Sequence, residues 1–221
     1  KAEDAEKVLG KYKFLYKKNI NIIPGSGVNT KLFKKNTIRD NNKLNILMAS
    51  RIIKHKGIDV FLDLVRNFKN QNHFNFYFAG IHEYKFNQFD IKNILKIKQK
   101  NFKFLGEVKN MKKLLEKIDI VVYPSKYGEG IPKFLIECMS CGIPILGYRT
   151  DTNKYLIFNN KSGFFCNNHD EYAINIKKLQ DYKLRKKFSN FSRKYCINQF
   201  DISKINLLHL NLYNSINFTT I

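Results

Sequence analysis

The sequence is short of acid, of cysteine and of long apolar runs. Against 40 lysines and arginines stand 18 aspartates and glutamates, a formal net charge of +22 over 221 residues. No apolar run approaches the ~18 residues of a membrane span. The opening stretch, KAEDAEKVLGKYKF, is charged throughout and lacks the apolar core of a secretory signal. It begins with lysine rather than methionine, which leads us to expect a piece of a longer protein. The four cysteines include one C-x-x-C, Cys138 and Cys141, with no second pair or H-x-H group to complete a zinc site. Both fall within an apolar helix rather than at its N-terminus, where a thiolate is stabilised. We therefore expect small buried packing residues in a reducing, cytosolic compartment. There is no arginine cluster, no basic–aromatic alternation and no internal repeat. The positive charge admits two accounts. One is a partner that is nucleic acid or anionic membrane. The other is a bias toward lysine, asparagine and isoleucine, as in an AT-rich genome.

What is present is an alternation of short apolar runs and helical periods. INIIP (20–24), LNILMAS (44–50), FNFYFAG (74–80), FKFLG (102–106), DIVVYPS (119–125) and IPILGY (143–148) read as strands. GIDVFLDLVRNF (57–68), FNQFDIKNILKIKQ (86–99), NMKKLLEKI (110–118) and PKFLIECMSC (132–141) read as helices, and beyond Gly163 the chain is mostly helical, over about 169–180, 182–197 and 201–217. Such alternation predicts an α/β, Rossmann-like parallel sheet with helices on both faces, followed by a helical C-terminal tail. Ligands of such sheets bind beyond the carboxyl ends of the strands, here after Ser50, Gly80, Gly106 and Ser125.

Three of those loops carry polar groups suited to a nucleotide. In SRIIKHKG, Arg51 and Lys56 flank a loop closed by Gly57, an arrangement that fits a diphosphate or, equally, a solvated turn. In FLGEVKN, Gly106 lets a ligand approach the backbone and Val108 offers backbone groups to a base edge, although an ordinary strand end reads the same way. In YGEGIPKFLIECMSCG, Gly128 and Gly130 bracket Glu129, Pro132 fits the first position of a helix, and Gly142 fits the position that ends one. A helix N-terminus after a glycine-rich loop suits an anion. Glu137 lies eight residues beyond Glu129 in an otherwise apolar run, where an unpaired charge is costly, so a specific partner is expected.

Taken together, IPGSGVNTKLF (23–33), SRIIKHKGIDVFL (50–62), FYFAG (76–80), FLGEVKNM (104–111), EGIPKFLIECMSCGIPIL (129–146) and NKSGFF (160–165) resemble the nucleotide-binding half of the group 1 family of retaining GT-B glycosyltransferases. The resemblance implies that Arg51 and Lys56 hold the donor diphosphate and, with Glu129, form the catalytic set. It implies that Glu137 binds ribose, that Glu129 and the N–H groups of Gly130 and Ile131 hold the donor sugar, and that the backbone at Val108 meets the base. The forms GSGV and EGIPK resemble bacterial members that build surface polysaccharides or lipid-linked oligosaccharides, which favours a UDP-sugar donor. No D-x-D occurs, so no metal or other cofactor is expected. Arg51, Lys56 and the helix N-terminus would neutralise the diphosphate instead.

The sequence departs from that family in GYRTDTNKYLI (147–157), where a proline–glycine pair and an acid are usual. Only half of such an enzyme would be present. Residues 1–19 would be a helix or linker from a preceding domain, 20–200 the nucleotide-sugar domain, and 201–221 a helix returning to the missing half. Its apolar residues Ile202, Ile205, Leu208 and Leu212 would then be exposed, mobile or packed on a neighbouring chain. The leading expectation is hexose or N-acetylhexosamine transfer with retention, to a saccharide or lipid-linked acceptor reached through the missing half. A non-catalytic nucleotide-sugar module acting with a partner chain is the alternative. The ordered motifs weigh against nucleic acid as partner. A cytoplasmic location, with weak attraction to anionic membrane at its inner face, completes the expectation.

Overall fold

A computed structural model describes residues 21–35, 38–40, 42–81, 91–126 and 130–215. Runs of β-branched, aromatic and leucine residues form the strands β1 (Leu44–Ala49), β2 (Phe74–Ala79), β3 (Phe102–Gly106), β4 (Ile120–Tyr123) and β5 (Ile145–Gly147), and a sixth, β6 (Gly163–Phe165), closes the sheet. The order is β3-β2-β1-β4-β5-β6, with every neighbouring pair parallel. The order reverses beside β1, and the crevice this creates at the carboxyl edge is where doubly wound sheets take ligands.

The period-2 pleat splits the core in two. Leu44, Ile46 and Met48 of β1, with Phe74, Phe76 and Phe78 of β2, face α1 (Ile58–Asn67), α2 (Ile91–Leu95) and α5 (His169–Lys178). Leu47 and Ala49, with Val121 and Tyr123 of β4, face α3 (Met111–Leu115), α4 (Lys133–Ser140) and α6 (Tyr182–Phe200). The strands are apolar on both faces because both faces are covered. The Phe61 ring of α1 meets Phe76 edge-on at 5.9 Å, and full burial of such a ring stabilises by about 1.5–3 kcal/mol. Gly142, at φ 67°, ends α4, and a Cβ there would stand 2.1 Å from Ser189 Oγ, so the same glycine lets α6 lie close across α4.

Several boundaries differ from expectation. Among residues 21–24 there is no strand. Pro24 lacks a donor, and the chain turns at once, with the Gly25 N–H donating to Ile23 O at 2.9 Å. The sixth strand is instead β6, in a stretch expected to lead only into helix. The helix expected over 86–99 is helical over Ile91–Leu95 among its described residues. The Ile97 N–H donates to Ile94 O in a tightened last turn, and the chain then straightens toward β3. The helix expected over 110–118 closes at Leu115 behind an Asn110 cap that accepts from the Lys113 N–H at 2.9 Å. Pro132 is extended, at ψ 123°, and precedes the helix rather than opening it.

The last helix, α7 (Ile202–Ser215), is tied to the rest at its start. Val28 N–H donates to Phe200 O at 2.8 Å and Ile202 N–H donates to Val28 O at 2.9 Å. The Thr30 hydroxyl donates to the Asp201 carboxylate. The Ser203 hydroxyl, and after it that of Thr30, hold the Asp201 carboxyl below the usual carboxylate range. Ile205, expected to be exposed, is buried at 1% because its side chain lies on Gly27. Ile202 and Leu212 are half-buried, while Leu208 is exposed with Leu207, Leu210 and Tyr213. The segments 1–20 and 216–221, on which parts of the expected domain division fall, lie outside the described residues.

Candidate functional site

The loops after β1, β2 and β3 meet the first turns of α4 over a cleft of about 280 Å³. Each loop is positioned by backbone. The Ser50 N–H donates to Ala79 O at 3.1 Å, the Ile52 N–H to Ile81 O at 2.9 Å, and the Gly80 N–H to Gly106 O at 2.9 Å. Gly80 has no room for a side chain, since a Cβ would stand 2.6 Å from Ser50 O. Gly106 has open space around it, and its φ of 62° is what calls for glycine.

Three of the expected site residues, Arg51, Val108 and Glu137, line this cleft together. Glu137 is 9% exposed, and burial pushes its carboxyl above the ordinary value, against a smaller opposing pull from Lys133 one helical turn earlier. Gly130 is exposed with open space where a side chain would be, and Ile131 is half-buried against Gly25. Lys56 is buried at 4% in the 3-10 turn Lys54–Lys56 and is not part of the cleft lining. Glu129 lies outside the described residues.

The cations of the β1 loop are divided. Arg51 faces the cleft, whereas Lys54 and His55 line a neighbouring hollow of about 500 Å³ with Lys126, whose Nζ sits 4.4 Å from the centroid of the Tyr148 ring. That hollow is larger and has Asp59 beside its lysines, whereas the cleft holds two carboxylates, Glu107 and Glu137, beside Arg51. The cleft also has walls that the motifs did not disclose, namely Ile81, Met111 and Phe134. Phe134 sits three residues before Glu137, hence on the same helix face, and that spacing was its only signal. Glu107 lies between two residues singled out from the sequence, Gly106 and Val108, and drew no separate reading.

A half-buried arginine ties the segment that follows the glycine-rich turn to the end of α4. Arg193 of α6 donates to Thr30 O at 3.1 Å, Phe33 O at 3.2 Å and Ser140 O at 2.5 Å. A Cβ on Gly25 would lie 3.2 Å from Ile131 Cβ, so the two loops touch. Cys138 in α4 and Cys141 just past its end are both buried, and burial drives the Cys138 thiol well up and the Cys141 thiol to about 12. Among the described residues no group of three or more potential metal ligands occurs.

Residues 29–195, well over half the chain, match the family described as glycosyl transferases group 1. The chain belongs to the group 1 glycosyltransferases. An uncharacterized glycosyltransferase of Haemophilus influenzae is 30% identical to this group 1 chain over 180 residues, which cover 80% of the chain and 49% of the relative. The chain thus spans about half the length of that relative. The structure of Anabaena HepE in complex with UDP and glucose superposes with a TM-score of 0.73 at 18% identity, over 86% of this chain and 56% of HepE. The C-terminal domain of LpcC, a group 1 family protein of Francisella tularensis, superposes with a TM-score of 0.67 at 20% identity, over 80% of this chain and 100% of that domain. The glycosyltransferase sheet described above is therefore that of the C-terminal half of a GT-B fold. No helix among the described residues is long and apolar enough to cross a membrane.

Proposed function

We propose that this chain is the donor-binding half of a retaining glycosyltransferase that transfers a hexose or N-acetylhexosamine from a UDP-sugar to a saccharide or lipid-linked saccharide. The observation that carries the reading is the meeting of Arg51, Val108 and Glu137 in one cleft at the carboxyl edge of the sheet. A nucleoside diphosphate needs those three chemistries in that proximity. The guanidinium of Arg51 takes the diphosphate, and each such charge-assisted hydrogen bond contributes about 1.5–3 kcal/mol. The Glu137 carboxylate takes the vicinal hydroxyls of ribose. The backbone at Val108 and the apolar side chains of Met111 and Phe134 take the base. UDP as the nucleotide is supported by the likeness of fold to HepE, whose complex holds UDP and glucose.

In this reading the departing diphosphate is neutralised by Arg51, by Lys56 and by the N-terminal end of α4, with no metal bridge. Lys56 is buried in the 3-10 turn that follows Arg51. Glu129 and the N–H groups of Gly130 and Ile131 hold the donor sugar. Transfer also needs an acceptor hydroxyl aligned with the anomeric carbon, and alignment of that kind supplies about 7–11 kcal/mol of a barrier. A preceding half would provide it, so the chain alone should bind donor and transfer nothing.

The test is a panel of UDP-, GDP- and ADP-sugars offered to this chain and to a longer protein that contains it, with the anomeric configuration of any product read by NMR. The expected result is UDP-sugar binding by both, turnover by the longer protein alone, and a product of retained configuration. An inverted product would overturn the retaining assignment, and preference for GDP or ADP would overturn the choice of nucleotide.

A further inference from the structure

A concentration of positive charge lies away from the cleft. Residues 91–103, IKNILKIKQKNFK, hold five lysines and no acidic residue. The fold brings this segment against the end of α1, and a groove of about 340 Å³ opens between them, lined by Arg66, Lys69, Lys96 and Lys98 without a carboxylate among the described residues. Lys69, Lys96, Lys98 and Lys100 are all exposed. Arg66 is paired with Asp63 on the same helix, so the lysines carry the surplus. Beside them Leu95 stands 52% exposed at the end of α2. Because α1 runs from the carboxyl edge back to the amino edge, and residues 96–100 lead into β3, this face lies at the amino edge of the sheet.

We propose that this face docks the protein on an anionic lipid bilayer. Clusters of four to eight cations attract acidic headgroups within about a Debye length. An apolar side chain set among them can enter the interface between headgroups and acyl chains. Three features favour a bilayer over nucleic acid. The surplus cations are lysines, point charges without the planar fork that reads bases or phosphates in pairs. Among the described residues no aromatic ring lines the groove to stack a base. An exposed leucine has no use on a phosphate backbone. Docking at the amino edge leaves the carboxyl-edge cleft open, so the inference stands apart from the donor assignment.

The experiment is sedimentation with vesicles of phosphatidylglycerol and phosphatidylcholine, or of phosphatidylcholine alone, across a range of salt. Wild type should bind the acidic vesicles only, and less as salt rises. The triple variant K69A/K96A/K98A should lower the partition coefficient about 100-fold, and Leu95→Asn should lower it by a smaller factor. A second triple, K183A/K186A/K187A on α6, removes the same charge elsewhere and should leave most of the binding. Unchanged melting temperatures confirm that each variant is folded. Equal losses from the two triples would overturn the proposal, because net charge and not this face would then be responsible. So would absence of binding to acidic vesicles, or tighter binding to duplex DNA at the same phosphate concentration.

Discussion

A Cβ on Gly57 would stand 2.4 Å from the carbonyl oxygen of Pro124. The loop after β1 and the end of β4 meet at this point, and Gly57, at φ 72°, is also the residue that turns the chain into α1. Conformation and contact both call for glycine. Gly57→Ala should therefore destabilise the chain by about 2–4 kcal/mol, the sum of a left-handed backbone penalty and overpacking. Denaturant unfolding measures it, and a loss below half of that range would mean that the two loops part easily.

Glu137 is poised for binding at a cost to stability. Burial raises its carboxyl in the folded chain above the ordinary value. The folded state then binds the proton more tightly than the unfolded state, so ionising Glu137 opposes folding. That penalty is full above the raised folded value, shrinks as pH falls through it, and is gone below the ordinary carboxylate range. Glu137→Gln should accordingly be more stable than wild type at pH 7, with the advantage fading on acidification, while UDP binds about tenfold or more weakly. Melting temperatures across pH, with a UDP titration at pH 7, check both signs.

All four cysteines are buried and free. The Cys141, Cys166 and Cys196 thiols are each pushed up to about 12, by burial first. A thiol reagent at pH 8 should modify none in the native chain and all after unfolding. Fast modification of Cys138 or Cys141, or stoichiometric zinc that the double serine variant lacks, would contradict a packing role.

The tail helix offers a paired comparison. Ile205 is buried on Gly27 and Leu207 is 56% exposed. Ile205→Ala should cost about 2–5 kcal/mol, and Leu207→Ala should stay within about 0.5 kcal/mol in this chain. Similar losses from the two would mean that both faces of the helix are covered.

The five strands β1 to β5 were legible because runs such as FNFYF or IVVY combine β-branched or aromatic residues with burial. INIIP carries the same apolar signature and forms no strand among its described residues, because Pro24 and Gly25 turn the chain at once. Gly163–Phe165 is a strand too short to show a period. At the site, Glu137 was legible as a charge in an apolar run, and Arg51 as a cation at the carboxyl end of a strand. Phe134 and Met111 were not, because an apolar residue reads as core whether it faces the interior or a ligand. Ile205 was misjudged because its partner, Gly27, lies near the other end of the sequence and only the fold brings them together.

The central claim is that the cleft bounded by Arg51, Val108 and Glu137 is a nucleoside diphosphate site. Calorimetric titration of UDP into this chain tests it most directly, in wild type, Arg51→Ala and Lys56→Ala. The account predicts saturable binding at one site per chain, weakened about 10- to 100-fold by loss of either cation. No heat of binding with any nucleotide sugar at millimolar concentration, or affinities in both variants equal to wild type, would contradict it.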